Sequence, residues 1–246
     1  MNGHADCLTM GKTMKFISMK RLTYTLLLAP LFVIFLAGCA REDSENVNQD
    51  RIWVSYQFFY DANEDITYAR ATFRFGGVTG TKLRLSDPAE IRFNGSVIPF
   101  KTGLAYYEED ISGFLDSGTF EYVDLNANQY NNDVSVELID FADDLGPFSQ
   151  TSSYQIEWIG ANTGSNEIVT VFLDHSETSD TKLFTESANN ANNLLLPAND
   201  LAQFDLGNVK CTIERINTPL IQQGTDAGGF ITERYRGLQR TVEVIE

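Results

Sequence analysis

From Arg51 onward, hydrophobic and polar residues alternate with a period of two. Ile52, Val54, Tyr56, Phe58 and Tyr60 alternate with Trp53, Ser55, Gln57 and Phe59. Thr67, Ala69, Ala71, Phe73 and Phe75 alternate with Tyr68, Arg70, Thr72 and Arg74. That period, rich in aromatic and β-branched residues, predicts strands. Asn94-Gly95 lies between the short apolar stretches 91–93 and 96–98. This dipeptide tolerates the two positive φ angles of a type I′ turn, so a hairpin is expected there. Further strands are predicted at 104–107, 119–123 and 134–139. The polar, Gly-Pro-containing run 140–147 interrupts the series. A second set follows at 154–159, 168–173, 182–185, 194–196, 209–216 and 230–245. Its last member changes phase around Gly237, which predicts a bulge or turn. No amphipathic helical run stands out, and 200–204 allows only a short turn.

The expected fold is therefore all-β. Residues 51–144 and 145–246 each hold about 100 residues with six or seven short strands, the size and spacing of an immunoglobulin-like β-sandwich. Two such domains are expected, with one large sandwich or a jelly roll as the alternative. Ser55-Tyr56-Gln57 and Thr81-Lys82-Leu83 recur as Ser153-Tyr154-Gln155 and Thr181-Lys182-Leu183, a faint hint of duplication.

The start of the chain has a different pattern. Met19-Lys20-Arg21 is basic, Leu22 to Leu36 is almost wholly apolar, and Leu36-Ala37-Gly38-Cys39 follows at once. A basic start, an apolar run and a small-residue site make a secretory signal over residues 1–38. The apolar run falls short of the roughly 20 residues that cross a bilayer as a helix. Leu36-Ala37-Gly38-Cys39 resembles the lipobox of bacterial lipoproteins. The resemblance implies a diacylglycerol on the Cys39 sulfur, cleavage between Gly38 and Cys39, and acylation of the new amine by a fatty acid such as palmitate. Two or more acyl chains give stable anchoring, whereas one binds only marginally. The alternatives are an ordinary signal peptide with a chance Cys, or an uncleaved anchor. Because signals begin just before their basic residues, Met14 or Met19 is a better start than Met1.

Residues 39–50 read as the lipidated Cys and a flexible polar tether. Arg41-Glu42-Asp43 resembles the acidic stretch that sends lipoproteins of the Bacteroidota to the cell surface, with Arg where Lys is more typical. An outer-membrane lipoprotein, exposed at the surface, is what this resemblance implies.

The whole chain carries a net charge of −16. Lys12, Lys15, Lys20 and Arg21 stand against Asp6 in the signal, so the rest holds 14 basic and 33 acidic side chains, a net of −19. Such a surface repels phosphate backbones, which excludes nucleic acid as a partner. It also repels anionic membranes, leaving the lipid as the membrane contact. Cys211 is the one Cys after the anchor, so no disulfide is expected within the body.

Candidate chemistry is sparse. Asp61, Asn63 and Asp65 sit at alternate positions and could turn three oxygens toward one Ca²⁺. Ile66 stands where a calcium loop needs Gly, and Thr72 where it needs Glu. Asp124-Leu125-Asn126-Ala127-Asn128 repeats the spacing. Both stretches also read as polar turns. Glu108-Glu109-Asp110, beside Tyr106 and Tyr107, suggests paired glycosidase carboxylates or a solvated acidic loop. Arg215, Arg234, Arg236 and Arg240 could bind a carboxylate ligand or pair with the chain's own acids. The sequence has no Gly-x-Ser-x-Gly, no His-Glu-x-x-His and no phosphate-cradling glycine loop, and His175 is the one His after the signal. No catalytic residue is therefore assigned. The favoured reading is an envelope binding or structural module whose partner is a glycan, another envelope protein or a host surface. The alternative is a carbohydrate-active enzyme using Glu108 or Glu109.

Overall fold

The computed structural model describes residues 41–246, which form one compact unit. The signal segment, the lipobox, Gly38 and Cys39 lie outside the described residues. The first lobe begins with β1 (Glu42–Asp43), β2 (Ile52–Asp61), β3 (Ile66–Phe75) and β4 (Thr81–Arg84). It continues with β5 (Glu90–Phe93), β6 (Ser96–Val97), β7 (Phe100–Lys101), β8 (Tyr106–Ser112), β9 (Ser117–Val123) and β10 (Gln129–Ser135). The second part holds β11 (Asp140–Phe141), β12 (Phe148–Ser149), β13 (Tyr154–Ile159), β14 (Glu167–His175), β15 (Thr181–Glu186) and β16 (Asn193–Leu196). After a one-turn helix at Ala198–Leu201 come β17 (Gly207–Asn217), β18 (Gly229–Arg236) and β19 (Arg240–Ile245).

The all-β expectation holds, and the alternating positions face as the pattern requires. In β2 the even-numbered residues Ile52 to Tyr60 are buried and point to one side of the sheet. Asn94 and Gly95 have φ of 47° and 80°, the two positive angles of the expected hairpin turn. The predicted break near Gly237 is also present. β18 and β19 pair with successive halves of the long strand β17, at 214–217 and 207–211, and the chain steps sideways between them.

The layout differs from two separate sandwiches. A 12-stranded sheet runs β1-β4-β3-β2-β18-β17-β14-β15, with β7 and β8 joined through β3, and β12 and β19 through β17. β18, from the end of the chain, lies parallel to β2, from its beginning, over the whole of Gly229–Arg236. The two halves thus share one hydrogen-bonded layer. The second layer is divided into a 4-stranded sheet, β10-β9-β5-β6, and a 3-stranded sheet, β11-β13-β16.

Each small sheet packs a core against the large one. The first core holds Val54, Tyr56 and Phe58 of β2 against Phe93, Phe120 and Tyr122. The second holds Val171, Leu173, Cys211 and Ile213 against Ile156, Trp158, Leu194 and Leu196. β2 and β18 serve both cores: Tyr56 and Ile231 in the first, Tyr60 and Tyr235 in the second. Those residues share one face of the sheet, so both small sheets cover the same side.

Two local readings are also revised. The expected tether is tied down from Arg41 onward. β1 pairs parallel with β4, Ser44 is fully buried, and the Ser86 amide donates to Ser44 Oγ at 2.9 Å. Gln49 is buried too, donating from Nε2 to the carbonyls of Ser44 and Val47. The tripeptide echo has no structural counterpart. Leu83 is buried on β4 while Leu183 is exposed on β15, and Ser55–Gln57 lies in the large sheet while Tyr154 begins a strand of the small one.

Candidate functional site

Because both small sheets pack on one side, the other face of the large sheet carries polar and aromatic residues outside either core. Register fixes their arrangement. Thr170 of β14 lies opposite Glu214 of β17, Glu214 opposite Arg236 of β18, and Arg236 opposite Asp61 of β2. The next row runs Ile216, Arg234, Phe59, Tyr68 and Asp110 across β17, β18, β2, β3 and β8. On the other side of the Glu214 row, Leu183, Phe172 and Thr212 are successive neighbours.

The charged groups in this face are tied together. Glu214 accepts from Arg234 Nε at 2.9 Å and from Arg236 Nε at 2.5 Å. Arg236 Nη1 donates to Asp61 Oδ2 at 2.7 Å. Both guanidinium groups lie over the Phe59 ring, at 4.8 and 5.3 Å from its centroid. Phe59 stacks on Tyr68, and Arg70 covers Tyr68 at 4.5 Å. The sequence Glu214, Arg234 and Arg236, Phe59, Tyr68, Arg70 is thus a continuous ladder of ion pairs and cation–π contacts. Burial works against the charge on Arg236, but its hydrogen bond to Glu214 and the charges of Glu214 and Asp61 outweigh it, so its pKa rises. Tyr68 donates to Glu64, which pushes its pKa up to about 12.

A groove of about 520 Å³ opens at the end of this ladder. Asp61, Glu214, Arg234 and Arg236 form one side and Phe172 and Leu183 the other. Its size falls in the range of small-ligand sites. Phe172 and Leu183 are 39% and 61% exposed, an apolar shelf beside the ion-pair row. Gln239 closes one end, donating from Nε2 to Thr212 Oγ1 at 3.2 Å.

Asp61 and Asn63, two of the residues singled out for calcium, line this groove with their oxygens committed to protein donors. Asp61 Oδ1 accepts from the backbone and side chain of Asn63, both at 3.0 Å, while Oδ2 takes Arg236. Asn63 holds the break between β18 and β19: its Nδ2 donates to the Gly237 carbonyl, and its Oδ1 accepts from the Gln239 amide. Asp65 Oδ1 accepts from the Tyr60 hydroxyl. The alternating oxygens build a joint between two ends of the sheet. Asp124 likewise accepts from the amides of Asn126 and Asn128 within its own turn. Among the described residues no group of three or more His, Cys, Asp or Glu could hold a metal ion.

The paired-carboxylate idea fails on strand geometry. Glu108 and Glu109 are consecutive in β8, so they point to opposite faces. Glu108 lies opposite Arg70 and pairs with it, and Glu109 lies opposite Ala69 on the core side. The four arginines pair with the chain's own acids: Arg215 with Glu167, Arg234 and Arg236 with Glu214, and Arg240 with Asp140. Cys211 is buried in the second core, where burial pushes its thiol up to about 12. His175 is buried at the end of β14, accepting from the amides of Glu177 and Thr178 at Nδ1. Sequence reasoning missed Phe172, Leu183 and Glu214. Their signal was present as apolar or charged residues at the outward positions of strands, but it identifies no partner strand.

No family model matches the chain, and no curated protein matches it. Among solved structures, it is similar at 11% identity to a chain titled "Ca2+-stabilized adhesin helps an Antarctic bacterium reach out and bind ice", with a TM-score of 0.24 over 79% of this chain. The match covers 49% of that chain, so this protein spans about half its length. A second likeness, at 12% identity and a TM-score of 0.23, covers 75% of both chains and is to "Structural insight into host cell surface retention of a 1.5-MDa bacterial ice-binding adhesin".

Proposed function

We propose that this chain is an exported envelope lipoprotein, anchored through Cys39, whose body is a binding module that uses the open face of the large sheet. The observation that carries this reading is the layout of the layers. Both small sheets cover one face, and the other keeps an apolar shelf and an ordered ion-pair row around a groove of about 520 Å³. For pairs as buried as these, desolvation of both charges offsets much of their attraction, so stability alone gives little reason for such a ladder. Holding arginine and carboxylate side chains in fixed positions is useful for recognition, because less side-chain freedom remains to be lost on binding. Asp61 and Glu214 are each held by arginine, which favours binding over proton transfer.

The anchor rests on Leu36-Ala37-Gly38-Cys39 and on the acidic stretch after it. Partitioning of wild type and Cys39→Ser between membrane and soluble fractions tests it, with protease shaving of intact cells reporting exposure. Wild type is expected in the membrane fraction and accessible to protease, and the variant in the soluble fraction. Equal membrane association of both would end the lipoprotein reading. For the module, capture from intact envelopes by wild type and by Phe172→Ala is compared. A partner retained equally by both would move the binding surface elsewhere, and no partner in any condition would count against a binding role.

A further inference from the structure

Building on the binding-module reading, we infer that the groove takes an uncharged, polyhydroxylated ligand, a neutral glycan rather than an acidic one or a cationic peptide. The argument starts from charge. Glu214 and Asp61 together balance Arg234 and Arg236: Glu214 accepts from both arginines and Asp61 from Arg236. Glu64 adds a further carboxylate at the rim. The arginines therefore offer no net positive field to a carboxylate or sulfate, and the net charge of −16 opposes polyanions at longer range. A cationic ligand fares no better, because it would have to displace Arg234, held by Glu214 through two nitrogens, or Arg236, held by Glu214 and Asp61.

What the pairing leaves is hydrogen-bonding capacity in fixed directions. Arg234 donates to Glu214 through Nε and Nη2, and Arg236 donates through Nε and Nη1. Arg234 Nη1 and Arg236 Nη2 remain as donors, and Glu64 at the rim and the Gln239 side-chain oxygen remain as acceptors. Adjacent donors and acceptors suit hydroxyl groups, each of which can donate and accept. Thr170, Thr212 and Gln239 extend the same mixed surface along the groove.

The apolar side completes the match. Phe172 is two positions along β14 from Thr170, so its ring stands roughly 7 Å from the ion-pair row. Its electron-rich face attracts the weakly positive C–H edge of a saturated ring. A pyranose has one face of C–H groups and a rim of hydroxyls, and it could lie on Phe172 and Leu183 with its hydroxyls on the ion-pair row.

The test uses the full-length chain in mild detergent on an array of neutral gluco-, manno- and galacto-oligosaccharides, beside uronate-bearing and sulfated ones. Binding is expected to be confined to neutral sugars. It should hold as salt rises from about 0.05 to 0.5 M, where attraction between exposed charges is screened. It should weaken about tenfold or more in Phe172→Ala, with Leu104→Ala, at an exposed position outside the groove, as the control. A preference for acidic glycans, or neutral binding unaffected by Phe172→Ala, overturns the inference. If no glycan binds while envelope capture yields a partner lost in Phe172→Ala, the ligand class is wrong and the binding module stands. If neither assay yields a ligand, both fail.

Discussion

At the residue scale, the charged side chains are organised by what they pair with. Asp61 is buried, caps its turn through Asn63 and holds Arg236. With both oxygens in use it has nothing to offer a metal, so thermal unfolding is expected at the same temperature in millimolar-range calcium and in chelator. Asp61→Ala is expected to cost about 2–4 kcal/mol, since it strands a partly buried guanidinium and uncaps the turn. A calcium-dependent rise in melting temperature would restore the metal reading. Glu233 is the opposite case. It is buried beside Glu167 and Arg215, and burial raises its carboxyl above the ordinary value despite hydrogen bonds from the Ser135 amide and Asn217 Nδ2. A carboxyl raised in the folded state supports folding fully below its unfolded value of about 4.3 and loses that contribution as pH climbs through the folded value. Glu233→Gln does not ionise, so its stability relative to wild type is expected to be greater at pH 7 than at pH 4. Denaturant melts of both proteins at the two pH values check this, and a constant difference would show that the carboxyl does not titrate differently on folding.

At the element scale, the strand pattern was legible because side-chain alternation is a local property. The two long N-terminal strands and the Asn94-Gly95 turn lie where periodicity and turn chemistry put them. Other boundaries moved. The strand expected at 134–139 lies at Gln129–Ser135, because Asn131, Asn132 and Asp133 bond to Gln222 and Gln223 from a distant loop. Polarity there marked partners far along the chain. The same holds for residues 41–51, whose composition reads as linker. Gln49→Ala would leave the Val47 carbonyl without its side-chain donor and the Ser44 carbonyl with only the longer bond from the Val47 amide, at an expected cost of about 1–3 kcal/mol. In a protein of this size that lowers the melting temperature by roughly 2–4 °C per kcal/mol. A variant that melts with wild type would mean the segment is loose after all.

At the scale of the whole molecule, β18 decides the cooperativity. It joins β2 to β17, and its residues enter both cores. The two halves are therefore expected to unfold together. The chain's two Trp residues report on different parts: Trp53 packs at a tilt against Phe230 on the open face, and Trp158 lies in the second core. Trp53→Phe and Trp158→Phe each leave one reporter, and their fluorescence should give coincident urea midpoints once each variant's own stability is matched by circular dichroism. Two separated transitions would mean independent domains. Expression of 51–144 alone should give an aggregating chain, since β2 would expose a long unpaired edge where β18 belongs.

The sequence by itself determined the all-β class, the faces of the long strands, the main hairpin turn, the acidic charge and the apolar run that motivates the proposed lipid anchor. These follow from neighbours in the chain, where a two-residue period, a turn dipeptide or an apolar run acts through adjacent atoms. Tertiary structure alone decided that one sheet joins both halves, that both small sheets cover the same face, and that the arginines find Glu214 and Asp61. The groove draws on Asp61, Phe172, Leu183, Glu214 and Arg236, which come from five strands. Alternation tells a residue which side of its own strand it occupies. It carries no information about which strand lies beside it, and that choice is made by the burial of two cores at once.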